Sequence, residues 1–273
     1  MGKFDHCLLL SDMDGTFLDE NAQLLPRNME AAQYFMAEGG YFSIATGRSR
    51  ISAGEHIANF PLNAPALLYN GGLMYDFRNE EIIRAEYIPS YAKDYILEIA
   101  QAFPELCIII SKVDGDYVVQ ADEATLKWYL SYEQDNHLIV SDIREIADPW
   151  MKIIFSSEDV ELIHQVMDYC AKWKDVSFIR SSLLFYEMIA KGTSKGSSIL
   201  YLADYLKIPY ENTFAIGDYN NDIAMISVAE IGAMPSNAPK EIQKYADLIV
   251  GPNKDGCVAD FIEYLDKNWT KNA

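Results

Sequence analysis

The chain of 273 residues carries 22 basic against 41 acidic side chains, a formal net charge of −19, and half of its residues are hydrophobic. At roughly 150 residues per domain this length fits two modest domains with a full core, and the charge argues against nucleic acid and anionic membranes as partners, because both draw affinity from Lys and Arg. Apolar runs such as Leu106–Ile110 fall far short of the roughly 18 residues of a membrane helix, and Ser11-Asp12 cuts short the first run at Cys7–Leu10, so neither a membrane span nor a signal-peptide core is expected and the protein is placed in the cytosol.

In chain order, Cys7–Ser11 reads as a strand ending at Asp12. Met29, Ala32 and Met36 recur at helical spacing between Asn28 and Glu38, and Gly39-Gly40 supplies the stop. Tyr41–Ala45 is a second strand, ending in Thr46-Gly47-Arg48, and Ala66–Tyr69 a third, ending in Asn70-Gly71-Gly72. Such alternation belongs to a parallel α/β sheet. The texture then changes. Paired strands are expected over Leu73–Ile88, a helix over Ser90–Phe103, and a hairpin over Leu106–Gln120 turning at Asp114-Gly115. A helix over Glu123–Gln134 has Leu126, Tyr129 and Leu130 as its stripe, followed by a strand over Met151–Phe155, a helix over Val160–Trp173 and strands within Val176–Ile189. Past Lys191 the α/β rhythm returns, with a helix over Lys195–Leu206, a strand over Thr213–Ile216 ending in Gly217-Asp218, and a further helix after Asn221. Residues 1–84 and 189–273 are thus expected to form one α/β domain, interrupted by an α+β domain at 85–188.

Cys7, Cys107, Cys170 and Cys257 lie far apart without CxxC pairs and read as reduced, buried small hydrophobes. The four histidines show no HExxH, which argues against a zinc hydrolase. Gly192-Thr193-Ser194-Lys195-Gly196 has the spacing of a nucleophile elbow, but no histidine follows His164 to complete a triad. Asp218-Tyr219-Asn220-Asn221-Asp222 begins like a calcium loop, but Ile223 replaces the glycine it needs and Ala229 the bidentate glutamate.

Three apolar runs end in reactive residues: Asp12, Thr46 and Asp218. Strand ends of a parallel sheet line one edge, so residues far apart in sequence can share a crevice there. In Asp12-Met13-Asp14-Gly15-Thr16 two carboxylates stand two residues apart, and Gly15 lets the backbone turn sharply after them. One can attack phosphorus and form an aspartyl phosphate, while the other protonates the leaving oxygen and then activates water. Asp12, Asp14, Asp218 and Asp222 would crowd negative charge around an anionic substrate, which requires a cation; oxygen ligands of this kind select Mg²⁺. Lys195 can add positive charge at the phosphate, and Thr46 and the Gly47 amide can donate hydrogen bonds to it.

Together these segments resemble the four motifs of the haloacid dehalogenase (HAD) superfamily, specifically its Cof-type phosphatases with a type IIB cap. Asp12-Met13-Asp14-Gly15-Thr16 is similar to the first motif, Ala45-Thr46-Gly47-Arg48-Ser49 to the second, Lys195 within Thr193-Ser194-Lys195-Gly196 to the third, and Gly217–Asp222 to the fourth. The resemblance implies a Rossmann-like parallel-sheet α/β core with an inserted α+β cap. It also implies that Asp12 is the nucleophile and a magnesium ligand, and that Asp14 is the general acid/base whose backbone carbonyl also binds the metal. Asp218 is then the third ligand, Asp222 supports it from behind, and Thr46, Gly47, Lys195 and Asn221 hold the phosphate. Arg48 and Asn70 match recurring positions without an assigned role. The activity it implies is hydrolysis of a small phosphorylated metabolite, a sugar phosphate or similar compound. A phosphomutase or phosphotransferase using the same aspartates is the alternative, and a receiver-like signalling module a more distant one. Tyr117, Trp128, Tyr132 and Arg180 are candidate contacts for a leaving group, although aromatic residues at such spacing more often fill a core, and none is assigned to the site.

Overall fold

A computed structural model of the protein describes residues 2–121, 123–132 and 137–270. The chain opens with β1 (Leu8–Ser11), an apolar run buried along its whole length, as a central parallel strand covered on both faces must be. Pro26 begins α1 (Pro26–Ala37), at a position where the missing N–H of proline leaves no bond unmade, and Asn28, Ala32 and Phe35 form its buried face. Next come β2 (Tyr41–Ile44), α2 (Arg50–His56), β3 (Ala66–Leu68), β4 (Leu73–Asp76) and β5 (Glu81–Ala85). The middle of the chain forms α3 (Ala92–Ala102), β6 (Cys107–Lys112), β7 (Gly115–Gln120), α4 (Glu123–Tyr132), β8 (His137–Ile139), β9 (Lys152–Ser156), α5 (Val160–Cys170), β10 (Ser177–Arg180) and β11 (Phe185–Ile189). The last third forms α6 (Lys195–Leu206), β12 (Thr213–Ile216), α7 (Ile223–Val228), β13 (Ile231–Pro235), β14 (Leu248–Val250) and α8 (Cys257–Asn268).

The chain divides into two compact units. One contains residues up to Gly47, Ala53–Arg84 and the chain from Ser194 on; the other contains Arg48–Ser52 and Ala85–Thr193. Against the limits of 85 and 188 drawn from the sequence, the second unit runs on to Thr193 and takes in the short piece after Gly47. The first unit is built on a parallel sheet of order β14-β13-β12-β1-β2, in which Ser11 at the end of β1 pairs with Ile216 on one side and Ile44 on the other. A small sheet of order β3-β4-β5 belongs to the same unit, and a single bridge from Ala45 to Leu67 ties β3 to the end of β2. Along α8, Val258, Phe261, Ile262 and Leu265 recur at the spacing of one buried face.

The second unit is a six-stranded sheet of order β10-β11-β9-β6-β7-β8. Alternate residues of its strands divide between two clusters. Ile108, Ile110, Ile153, Phe155 and Met188 pack with Ile96 and Ile99 of α3 and Ile163 and Val166 of α5. Cys107, Ile109, Val118 and Ile154 pack with Leu126 and Trp128 of α4. The molecule is therefore an α/β protein with a parallel-sheet core and an inserted α+β domain.

Several elements depart from the sequence reading. The final two positions of the helix expected over Glu123–Gln134, and the side chains of Tyr129 and Tyr132, lie outside the described residues. The helix expected to Trp173 ends at Cys170, because the chain turns at Ala171 and Lys172. Asp114-Gly115 closes the β6–β7 hairpin, as Lys112 pairs with Gly115. Trp128 stacks on Phe185, and the Arg180 guanidinium donates to the Ser182 and Leu183 carbonyls, so both are engaged within their own unit. All four cysteines are free and buried. Among the described residues no helix is long and apolar enough to cross a membrane.

Candidate active site

The parallel pairing of β1 with β12 and β2 sets the geometry. All three strands leave the sheet at the same edge, so Asp12, the Ala45-Thr46-Gly47 segment and Gly217-Asp218 emerge side by side from three distant parts of the chain. The first turn after β1 is not a regular helix. Asp14 has extended backbone angles (φ −74°, ψ 126°) and Gly15 a left-handed one (φ 74°). Only glycine fits at position 15, since a Cβ there would stand 2.4 Å from the Asp218 carboxylate as well as on an unfavourable φ.

Lys195 is the first residue of α6. Ser194 caps that helix: its hydroxyl accepts from the Ser197 amide, and the Ser197 hydroxyl accepts in return from the Ser194 amide. The Ser194 side chain thus has a structural task in place of a nucleophile's. The cap directs Lys195 inward, where its Nζ donates to Asp12 Oδ1 and to Asp222 Oδ1, both at 2.6 Å, with the lysine side chain fully buried. Gly196 follows because α7 passes close by; a Cβ at 196 would meet the Ala224 carbonyl at 2.6 Å.

Asp222 is completely buried and fully used. Its Oδ1 receives Lys195, and its Oδ2 receives the backbone amides of Asp218 (3.1 Å) and Tyr219 (3.0 Å). It therefore pins the loop that carries Asp218. Carboxylate oxygens of Asp12, Asp218 and Asp222 lie within 4.8 Å of one another and form a group able to hold a cation. Asp222, whose oxygens already face the ammonium and two amides, is suited to support, and Asp12 and Asp218 to direct ligation. The Thr16 hydroxyl, to which the sequence reading gives no task, donates to Asp218 Oδ1 at 3.3 Å. Its position two residues beyond Asp14, facing the fourth motif, is the signal that marks it.

The charges act on one another. Burial pushes the Asp12 carboxyl well above the usual carboxylate range, Asp222 adds to the push, Lys195 opposes it, and Asp218 and Asp14 raise it further. Asp218 is pushed up to about 7, by burial first and Asp222 next, against the pull of Lys195 and the Thr16 hydrogen bond, with Asp14 again raising it. For Lys195, burial alone would lower the value, but the charges and hydrogen bonds of Asp12 and Asp222 raise it above the ordinary one. Three carboxylates facing one ammonium leave an excess of negative charge, which a divalent cation would neutralise.

The remaining candidates fall into two groups. Thr46 is buried, with its amide bonded to the Leu67 carbonyl and its own carbonyl accepting from the Asn70 amide; Gly47 follows it, half-buried. Asn70, completely buried and left-handed (φ 57°), accepts from Asn221 Nδ2 at 3.0 Å, so Thr46, Asn70 and Asn221 form one connected chain. Asp14 stands apart from the buried acids. Its side chain is exposed, and it acts on Asp12 and Asp218 through its charge.

Residues 9–262 match the family model of the haloacid dehalogenase-like hydrolases. The chain is 23% identical over 267 residues to a Bacillus subtilis 5-amino-6-(5-phospho-D-ribitylamino)uracil phosphatase, YcsE, with 94% of each chain covered. It is 22% identical over 274 residues to the Escherichia coli pyridoxal phosphate phosphatase YbhA, covering 92% of this chain and 95% of that one. Its fold is similar to that of the HAD subclass IIB sugar phosphatase BT4131, with a TM-score of 0.85 at 21% identity, covering 95% of this chain and 99% of the other. With this family's model spanning nearly all of it and phosphatases among its relatives, the chain belongs to the haloacid dehalogenase-like hydrolases, as a phosphatase of their Cof type.

Proposed function

We propose that this phosphatase is Mg²⁺-dependent and hydrolyses a small phosphorylated metabolite, a sugar phosphate or a similar compound, through an aspartyl phosphate on Asp12. The observation that carries the reading is the buried Lys195, held between Asp12 and Asp222 with Asp218 alongside. A buried ammonium beside an excess of carboxylates at a sheet edge is of little use to packing, but it suits a site where an anion meets a cation.

The carboxylates of Asp12, Asp218 and Asp222 are an all-oxygen group that suits Mg²⁺, and Asp12, Asp218 and the Asp14 carbonyl would hold the ion. When bound, the ion offsets the charge of the phosphoryl group against the carboxylates. The chain's own groups then do the following. An Asp12 carboxylate oxygen attacks phosphorus as the bond from phosphorus to the leaving oxygen breaks, and the Asp14 carboxyl gives its proton to that oxygen, releasing the alcohol. Asp14, now ionised, takes a proton from a water whose oxygen attacks the phosphorus, releasing phosphate and restoring Asp12. Lys195, Thr46, the Gly47 amide and Asn221 hold the phosphoryl oxygens.

The test is phosphate release from a panel with Mg²⁺ and with EDTA, using Asp12→Asn as the blank. The panel holds sugar phosphates together with pyridoxal phosphate and 5-amino-6-(5-phospho-D-ribitylamino)uracil, on which the relatives named above act. Mg²⁺-dependent release that the variant lacks is the expected result, and release that persists after thorough chelation would refute the metal's part. Phosphate release that falls when sugar acceptors are added would point to transfer onto a hydroxyl instead of water.

A further inference from the structure

The turn that carries Asp14 is held from behind in an unusual way. Its backbone bonds include Phe17 N–H to the Asp12 carbonyl (3.2 Å) and Leu18 N–H to the Met13 carbonyl (2.8 Å). Beyond the Asp14 carbonyl, each of the four carbonyls from Gly15 to Leu18 is taken by a side chain from elsewhere. Asn237 Nδ2 donates to Gly15 O at 2.9 Å, Cys257 Sγ to Thr16 O at 3.2 Å, Asn28 Nδ2 to Phe17 O at 3.1 Å and Asn253 Nδ2 to Leu18 O at 3.0 Å. The donors are themselves fixed: Asn237 Oδ1 accepts from the Asn253 amide (2.8 Å) and Asn28 Oδ1 from the Ala259 amide (3.1 Å).

We infer that Asn237 and Asn253 are positioning residues of the reaction, clamping the backbone of Met13–Leu18 so that Asp14 meets the leaving oxygen while Asp12 faces phosphorus. The inference rests on the roles proposed above for the two aspartates. Asn28, Asn253 and Cys257 are buried, and their bonds also serve the fold, since a buried carbonyl must find a donor. Asn237 is different. It is exposed, and among the described residues its hydrogen bonds go to Gly15 and Asn253 alone. A bond that water could replace adds little stability, yet this one reaches the residue next to Asp14. Its orientation, set by the Asn253 amide, is what a positioning contact needs.

The test separates placement of the acid from general damage. An ester with a good leaving group, p-nitrophenyl phosphate, needs little protonation, whereas an alkyl ester such as ribose 5-phosphate needs it fully. Asn237→Ala, and Asn237→Asp, which keeps the acceptor for Asn253 but loses the donor to Gly15, are compared with the parent on both esters. Melting temperatures and an Asp14→Asn reference are measured alongside. Both variants are expected to melt with the parent and to lose about tenfold in kcat/KM on ribose 5-phosphate but less than about threefold on p-nitrophenyl phosphate. That ratio reports the steps up to departure of the alcohol and not the later attack of water common to both esters. If Asp14→Asn shows that selective loss and the Asn237 variants do not, slowing both esters equally or neither, the clamp is wrong while the aspartate roles stand. If Asp14→Asn itself fails to discriminate between the esters in kcat/KM, the acid assignment falls and takes the clamp with it.

Discussion

At Lys195 one buried ammonium is balanced against two carboxylates, and the balance decides what each substitution does. Lys195→Met would leave Asp12 and Asp222 buried without a counter-charge, and urea denaturation should show a loss of roughly 3–5 kcal/mol. Asp12→Asn removes a carboxyl that burial already disfavours, so the variant should melt within a few degrees of the metal-free parent while losing about a thousandfold or more in turnover. Stability and activity thus separate at neighbouring positions. Asp218, pushed up to about 7, holds its proton in the metal-free protein below that pH and must release it to bind a cation. Apparent Mg²⁺ affinity should therefore rise with pH through about 7. Calorimetry in two buffers of different protonation enthalpy should detect proton release on Mg²⁺ binding at about pH 6. Binding at that pH without proton release would contradict the account.

Among the elements, α6 is the one whose start matters most, because its cap aims Lys195. Ser194→Ala removes the capping hydroxyl and should cost about 1 kcal/mol in denaturant melts, while turnover stays within several-fold of the parent, unlike the loss of a nucleophile. What the sequence showed at this scale depended on how loudly each element speaks. Leu8–Ser11 and Thr213–Ile216 are apolar runs cut by Asp12 and Gly217-Asp218, and both strands and the site edge they build could be read directly. No element was assigned beyond the helix after Asn221. There β13 is Ile-Gly-Ala-Met-Pro, with glycine and proline weakening its strand character, and β14 has only three residues. The exposure of Asp14 beside the buried Asp12 was also hidden, since both belong to one DxD spacing, which does not record that the chain runs extended at Asp14. Asn237 and Asn253 gave no signal because their bonds go to backbone carbonyls, which no residue pattern records.

For the whole molecule, a net charge of −19 and an acidic site mean that a cation bound there would stabilise the fold as well as serve the proposed reaction. Mg²⁺ at a hundredfold excess over its dissociation constant should add about 2.7 kcal/mol, raising the melting temperature by several degrees, with EDTA reversing the shift. An Asp218→Asn variant should lose most of that response. The inserted α+β unit has two packed faces of its own and should retain its secondary structure in variants whose site is disabled. Circular dichroism of Asp12→Asn and Asp14→Asn checks this.

The central claim is that phosphate passes through Asp12. The most direct measurement is rapid acid quench of the enzyme during turnover of ³²P-labelled p-nitrophenyl phosphate, followed by peptide mapping. The account requires label on the peptide containing Asp12, lost on chase with unlabelled substrate and absent in Asp12→Asn. Turnover by the parent with no protein-bound label, together with undiminished phosphate release by Asp12→Asn, would contradict it.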